Sequence, residues 1–189
     1  MKMLLPIVFA TVFAFATPSL GVIGNVLDQE SPYTGDSFWG MVEPRIWQQE
    51  VTAGLPGPLV QIGLYFEEPE AGQDVLVFVN AGAPWQSDPH DFQTALTNVV
   101  DGWTSIDTSS AGLVFNAGDR FVIGIEPLTP GELWIGGSIP GAYDRGGLWY
   151  GGIMVTYSSD FAFQTYVPEP ATFLLVGLGG LALVRKPRG

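Results

Sequence analysis

WQQEVTAGLPGPLVQIGLYF, residues 47–66, sets the period of the chain. In its first half Trp47, Gln49 and Val51 recur at every second position, the GLPGP run of residues 54–58 interrupts the pattern, and Val60, Ile62, Leu64 and Phe66 then resume it. Side chains alternate between two faces along a strand, whereas a helix would repeat its apolar residues at three and four positions. Two strands joined by a Gly/Pro turn follow, each with one apolar face.

The same period extends outward. Residues 74–80 (DVLVFVN) are apolar on both faces, as in a strand covered on two sides. A polar loop (AGAPWQSDPHD, 81–91) precedes residues 92–99, where Thr94, Leu96 and Asn98 alternate with their neighbours and a strand is favoured over a short helix. Further strands are expected at 103–107, 120–126 (Phe121, Ile123 and Ile125 on one face), 133–135, 148–157 and 161–167, with a turn at Asn-Ala-Gly-Asp, 116–119. Residues 24–39 read either as a leading strand or as a flexible lead-in. Short strands at this spacing, without a convincing long helix, predict an all-β chain, an antiparallel β-sandwich of jelly-roll type.

Hydrophobic segments flank this region. Residues 1–21 have Lys2, an apolar stretch broken by Pro6, and small residues at Ala14, Ala16, Ser19 and Gly21, the layout of a signal peptide cleaved after about Ala16 or Gly21. At the other end stand Val167, Pro168, Glu169 and Pro170, then an apolar run of residues 171–184, then Arg185, Lys186 and Arg188. At about 1.5 Å per residue that run reaches about 21 Å as a helix, short of a hydrocarbon core of about 30 Å. Gly177, Gly179 and Gly180 weaken it further, and the basic end would stay on the cytoplasmic side. These features suit a transient stop in the inner membrane followed by processing.

The tail of residues 167–189 resembles the PEP-CTERM sorting signal of Gram-negative bacteria. That resemblance implies export by the Sec machinery, recognition by an exosortase (a membrane-embedded cysteine transpeptidase) that cuts near the triplet, and delivery to the cell surface or extracellular space among exopolysaccharides. Residues 22–166 would be the cargo domain. The stretches 47–66, 102–126 (GWTSIDTSSAGLVFNAGDRFVIGIE) and 160–167 (DFAFQTYV) are similar to bacterial secreted sandwiches of the choice-of-anchor kind. This second resemblance implies a jelly-roll-like domain with variable anchoring tails and brings no catalytic residues with it.

The cargo has a length suited to one domain. It carries three arginines, Arg45, Arg120 and Arg145, against 18 carboxylates, a net charge of −15, and no lysine. Such a field repels phosphate backbones and argues against nucleic acid as a partner. No cysteine occurs, so thiolate metal sites, cysteine catalysis and disulfides are excluded and the fold rests on its core.

Catalytic patterns are scarce. The single histidine, His90, sits in Asp88-Pro89-His90-Asp91, and no Gly-x-Ser-x-Gly elbow supplies a nucleophile. Glu67, Glu68, Glu70 and Asp74 crowd one expected turn, where neighbouring acids diverge into solvent rather than pair for glycoside hydrolysis. Loop carboxylates leave room for a structural Ca²⁺, although no Asp-x-Asp-x-Asp-Gly loop assigns one, and no other cofactor is expected. Among six tryptophans, Trp47, Trp103 and Trp134 read as core, while Trp85 in the long loop and Trp149 beside glycines are candidates to stack on sugar rings. The sequence therefore favours a non-catalytic surface or matrix protein associated with exopolysaccharide. A carbohydrate-binding module is the alternative, ahead of a small polysaccharide-active enzyme.

Overall fold

The structure, a computed structural model, describes residues 24–35, 37–42, 45–84, 89–155 and 159–169, with the backbone alone for 37–42. The expected signal peptide (1–21), the expected sorting helix (171–184) and Trp85 lie outside the described residues.

Fifteen strands and one 3-10 turn make up the described chain: β1 (Asn25–Ser31), β2 (Ser37–Val42), β3 (Trp47–Thr52), β4 (Gly57–Pro58), β5 (Gln61–Phe66), β6 (Val75–Ala81), β7 (Phe92–Leu96), β8 (Gly102–Asp107), the turn Ser109–Ala111, β9 (Val114–Phe115), β10 (Arg120–Pro127), β11 (Glu132–Ser138), β12 (Leu148–Tyr150), β13 (Ile153–Met154), β14 (Asp160–Phe161) and β15 (Phe163–Pro168). All pairings are antiparallel. A seven-stranded sheet runs β1-β15-β5-β11-β14, with β2 on β11 and β8 on β5; a six-stranded sheet runs β13-β12-β3-β10-β6-β7. After β3 the chain passes back and forth between the two sheets, which creates a shared core that no single hairpin could bury.

That core follows the alternation. Ile62, Leu64 and Phe66 of β5, Phe163 of β15, and Leu133 and Ile135 of β11 meet Val51, Val75, Val77, Val79, Phe121, Ile123 and Ile125 from the other sheet in one buried cluster. β6 is buried on its second face as well: Phe78 lies opposite Gly124 of β10 and fills the space where a Cβ at Gly124 would stand. The all-β, antiparallel expectation thus holds, and its jelly-roll wiring goes beyond what the strand order establishes.

Several elements differ from expectation. Within the expected strand 148–157, β12 and β13 form a hairpin, because Gly151 and Gly152 both take positive φ and turn the chain; residues 156–157 lie outside the described residues. Residues 92–99 begin as the expected strand, but it ends at Leu96; Asn98 adopts φ 51° and its backbone N–H is capped by Asp74. The GLPGP run does more than turn, since Gly57 and Pro58 pair with Phe115 and Val114. Residues 24–39 are a lead-in with structure: β1 pairs along β15 and β2 along β11.

Candidate functional site

Trp103 is the main departure from the expected core. It is 44% exposed, whereas Trp47 is buried and Trp134 half-buried. Strand register explains why. Trp103 stands opposite Tyr65, on the face of β8 and β5 that also carries Ser105, Asp107, Gly63 and Gln61, whereas Ile62, Leu64 and Ile106 take the inner face. β15 adds Gln164 opposite Gly63 and Tyr166 opposite Gln61 to the same outer surface.

An aromatic cluster forms there. The rings of Tyr33 and Tyr65 stack with centroids 4.1 Å apart and 12° between planes, and Trp103 meets Tyr65 edge-on at 5.7 Å and 81°. Two glycines shape the floor. A Cβ at Gly136 would lie 2.7 Å from ring carbons of both Tyr33 and Tyr65, so the tyrosines settle onto the sheet only because that position is bare. Gly63 is buried, and a Cβ there would lie 3.4 Å from Gln164 and 3.5 Å from Trp103, so these two side chains close over the bare backbone.

Polar groups border the rings. The Tyr33 hydroxyl donates to Glu67 Oε1, Glu68 N–H donates to Asp101 at 3.0 Å, and the Tyr166 hydroxyl bonds Gln164 at 2.8 Å. The hydrogen bond to Glu67 pushes the Tyr33 phenol up to about 12, with burial and the Glu67 charge acting in the same direction. Burial, then the charges of Asp101 and Glu67, also raise Tyr65. Both phenols therefore stay neutral donors at ordinary pH. Glu67 Oε2 is buried and meets no donor among the described residues.

Other candidates resolve into structural roles. The Phe78 ring stacks on His90 at 3.8 Å, His90 Nδ1 is 3.1 Å from Asn80 Nδ2, and Asp91 accepts from Ala81 N–H at 2.8 Å, so the lone histidine helps join β6 to β7. The four crowded carboxylates diverge: Glu67 turns to Tyr33, Asp74 caps Asn98, and Glu68 and Glu70 are exposed. The expectation that they all face solvent fails at Glu67, because Tyr33, from the loop after β1, packs beside it. Among the described residues no three histidine or carboxylate side chains are placed to hold a metal ion.

Asp160 is the most buried carboxylate with a resolved shift. Gln49 Nε2 and Tyr143 N–H each donate to it at 3.0 Å, and Phe161 N–H returns a bond to Gln49 Oε1, which ties β3, β14 and the loop before β12 together. Burial raises its carboxyl above the usual range, and the two donors only partly offset that. It lines a cleft with Tyr143, Leu148, Met154 and Ser159. Trp149 is half-buried opposite Gln48 of β3, and its indole N–H is buried without an acceptor among the described residues.

The tail begins inside the fold. Val167 and Pro168 are the last residues of β15, two residues past the expected domain limit, and stand opposite Val26 and Asn25 of β1. Glu169 N–H continues the ladder by donating to Gly24 O at 2.9 Å. Val167 is buried and Glu169 exposed. Pro170, Arg185, Lys186 and Arg188 lie outside the described residues.

Comparison with protein families gives one match: residues 167–188 fit the model of the PEP-CTERM protein-sorting motif. The chain carries that signal, which marks an exported protein that an exosortase recognises, with transient anchoring in the membrane. No curated protein matches the chain. Among the described residues no helix is long and apolar enough to cross a membrane.

Proposed function

We propose that this PEP-CTERM-sorted protein serves outside a Gram-negative cell as a non-catalytic, exopolysaccharide-associated module, and that the Tyr33–Tyr65–Trp103 surface is its glycan contact. Its frame reads as a variant jelly roll, with strands alternating between the two sheets. The observation that carries the proposal is an exposed indole set edge-on to a stacked tyrosine pair on an outer sheet face. Pyranose rings have one or two faces of C–H groups, and such faces gain by leaving water against aromatic carbon. The Tyr166, Gln164, Gln61 and Ser105 side chains border this surface with donors and acceptors for ring hydroxyls.

Charge selects among polysaccharides. Glu67, Asp101 and Asp107 flank the rings, the domain is strongly acidic, and all three cargo arginines lie elsewhere. Uronate or sulfate polymers would be repelled, so a neutral glycan is the ligand class. Trp149, on the outer face of the other sheet, is assigned the lesser contact because its N–H end is buried.

Affinity electrophoresis through gels containing neutral or uronate-rich exopolysaccharides tests this reading. Retardation is expected in the neutral gels and should persist when salt is added. Retardation only in the charged gels, or none in either, would sink it.

A further inference from the structure

We infer that β1 is a clasp on the sorting signal: the exosortase can take hold of the Pro-Glu-Pro region only when the terminal rungs between Asn25–Leu27 and Tyr166–Pro168 come apart. The inference rests on the sorting reading above and adds what controls access to the signal.

The ladder shows where the signal is held. β15 has β5 on one side only as far as Tyr166, which stands opposite Gln61 and accepts from Val60 N–H at 3.0 Å. Beyond that point β1 is the only strand paired with Val167 and Pro168 among the described residues. On its inner side Val167 also meets β4. Val167 is 4% exposed and packs against the Gly57 position, where a Cβ would lie 3.7 Å from its own.

Hydrogen-bond alternation explains how a proline fits there. Glu169 N–H donates to Gly24 O, which makes the 24/169 rung a hydrogen-bonded pair. In an antiparallel ladder the next pair, Asn25 with Pro168, is then non-hydrogen-bonded, and Pro168 has no N–H to leave unsatisfied. The triplet can therefore begin inside a strand without breaking it. Enzymes that cut peptide chains bind them extended and bond to the backbone near the cut. In the folded cargo Val167 and Glu169 already spend those groups on β1.

The ends of the domain are thereby joined. Residue 24, just after the expected signal-peptide cut, lies beside residue 169 at one edge of one sheet. End rungs open far more readily than whole domains, so the population with this edge frayed would set the cleavage rate.

A disulfide tests the clasp. Leu27 and Tyr166, the last pair before the bulge at Asp28, occupy the next non-hydrogen-bonded position, outside the matched motif; pairs of that kind bring Cα atoms to about 4.5 Å, within disulfide reach. The chain has no cysteine, so L27C/Y166C forms a single defined link. The full-length variant is expressed with an exosortase in a Gram-negative host, and precursor and processed forms are followed by immunoblot with and without a membrane-permeant reductant. The oxidised form is expected to be processed about tenfold or more slowly than the reduced form, reflecting the lost open state. Equal rates would overturn the clasp. V26D, which loosens the same rungs without a crosslink, is expected to speed processing, and unchanged or slower processing of a variant that still folds would count against it. A P168A/E169A/P170A chain that loses its tail at the parental rate would instead remove the sorting reading, and the clasp with it.

Discussion

Replacing Trp103 by alanine should weaken glycan binding about tenfold without unfolding the domain. Trp103 is 44% exposed, and a tryptophan offers up to about 250 Å² of contact area, so about 110 Å² remains open to a ligand. A sugar ring covers one face of the indole, or about half of that. At about 25 cal/mol per Å², about 55 Å² contributes about 1.4 kcal/mol, or about a factor of ten in Kd. The structural cost is separate: W103A gives up the edge contact with Tyr65, worth about 0.5–1.5 kcal/mol, and the roughly 140 Å² that the indole already buries, up to about 3.5 kcal/mol at the same coefficient, so Tm should fall clearly while the domain stays folded at room temperature. Isothermal titration with a neutral oligosaccharide of the retained class, alongside thermal unfolding, separates the two. Tyr65→Ala should lose at least as much affinity, because it also frees Tyr33. If W103A binds within about twofold of the parent while folded, the aromatic surface is not the contact and the area argument fails.

Four further outcomes follow from the packing and the buried charges. G124A should destabilise the domain by about 1–3 kcal/mol, since its methyl would occupy the ring of Phe78, and in an F78A background the same change should become near neutral, as a double-mutant cycle in chemical denaturation would show. D160A strands the Gln49 and Tyr143 donors and should cost about 2–5 kcal/mol, measured by urea unfolding. The pH dependence of D160N has a defined sign. Because the fold raises the Asp160 pKa, the stability it contributes is complete below the unfolded value and lost as pH rises through the folded one; D160N should therefore gain on the parent as pH rises above about 4. E67Q should bring the Tyr33 titration down from about 12 toward 10, read as phenolate absorbance with Y33F as the assignment control. The fold's preference for neutral Tyr33 is complete below the unfolded value near 10 and lost through about 12, so only strongly alkaline solutions should reveal it.

How far the sequence carried is clearest in particular residues. Ile62, Leu64 and Phe66, and Phe121, Ile123 and Ile125, were legible as inward rows because period two is a local property of the backbone and their partners on the other face are smaller or polar. The sorting motif was legible because it is read as a linear string. Trp103 was misjudged: its size argued for the core, but its row on β8 also holds Ser105 and Asp107, and Ile106 belongs to the opposite row. Reading the row rather than the residue would have signalled exposure. Tyr33 gave no such signal, since its partner Tyr65 is brought to it by the pairing of strands far apart in the chain.

By itself the sequence determined that the chain is built of strands, that its stability cannot come from disulfides, that its field is acidic, and that its tail is a sorting address. Alternation, composition and a short motif are properties of neighbours along the chain. Tertiary structure alone decided which sheet each strand joined, and hence which aromatic rings face water, why Gly136 must be bare, and that β1 closes over the start of the address. Those outcomes depend on register between distant segments, where a shift of one residue exchanges inner and outer faces, and only the packing of the whole core selects among the registers.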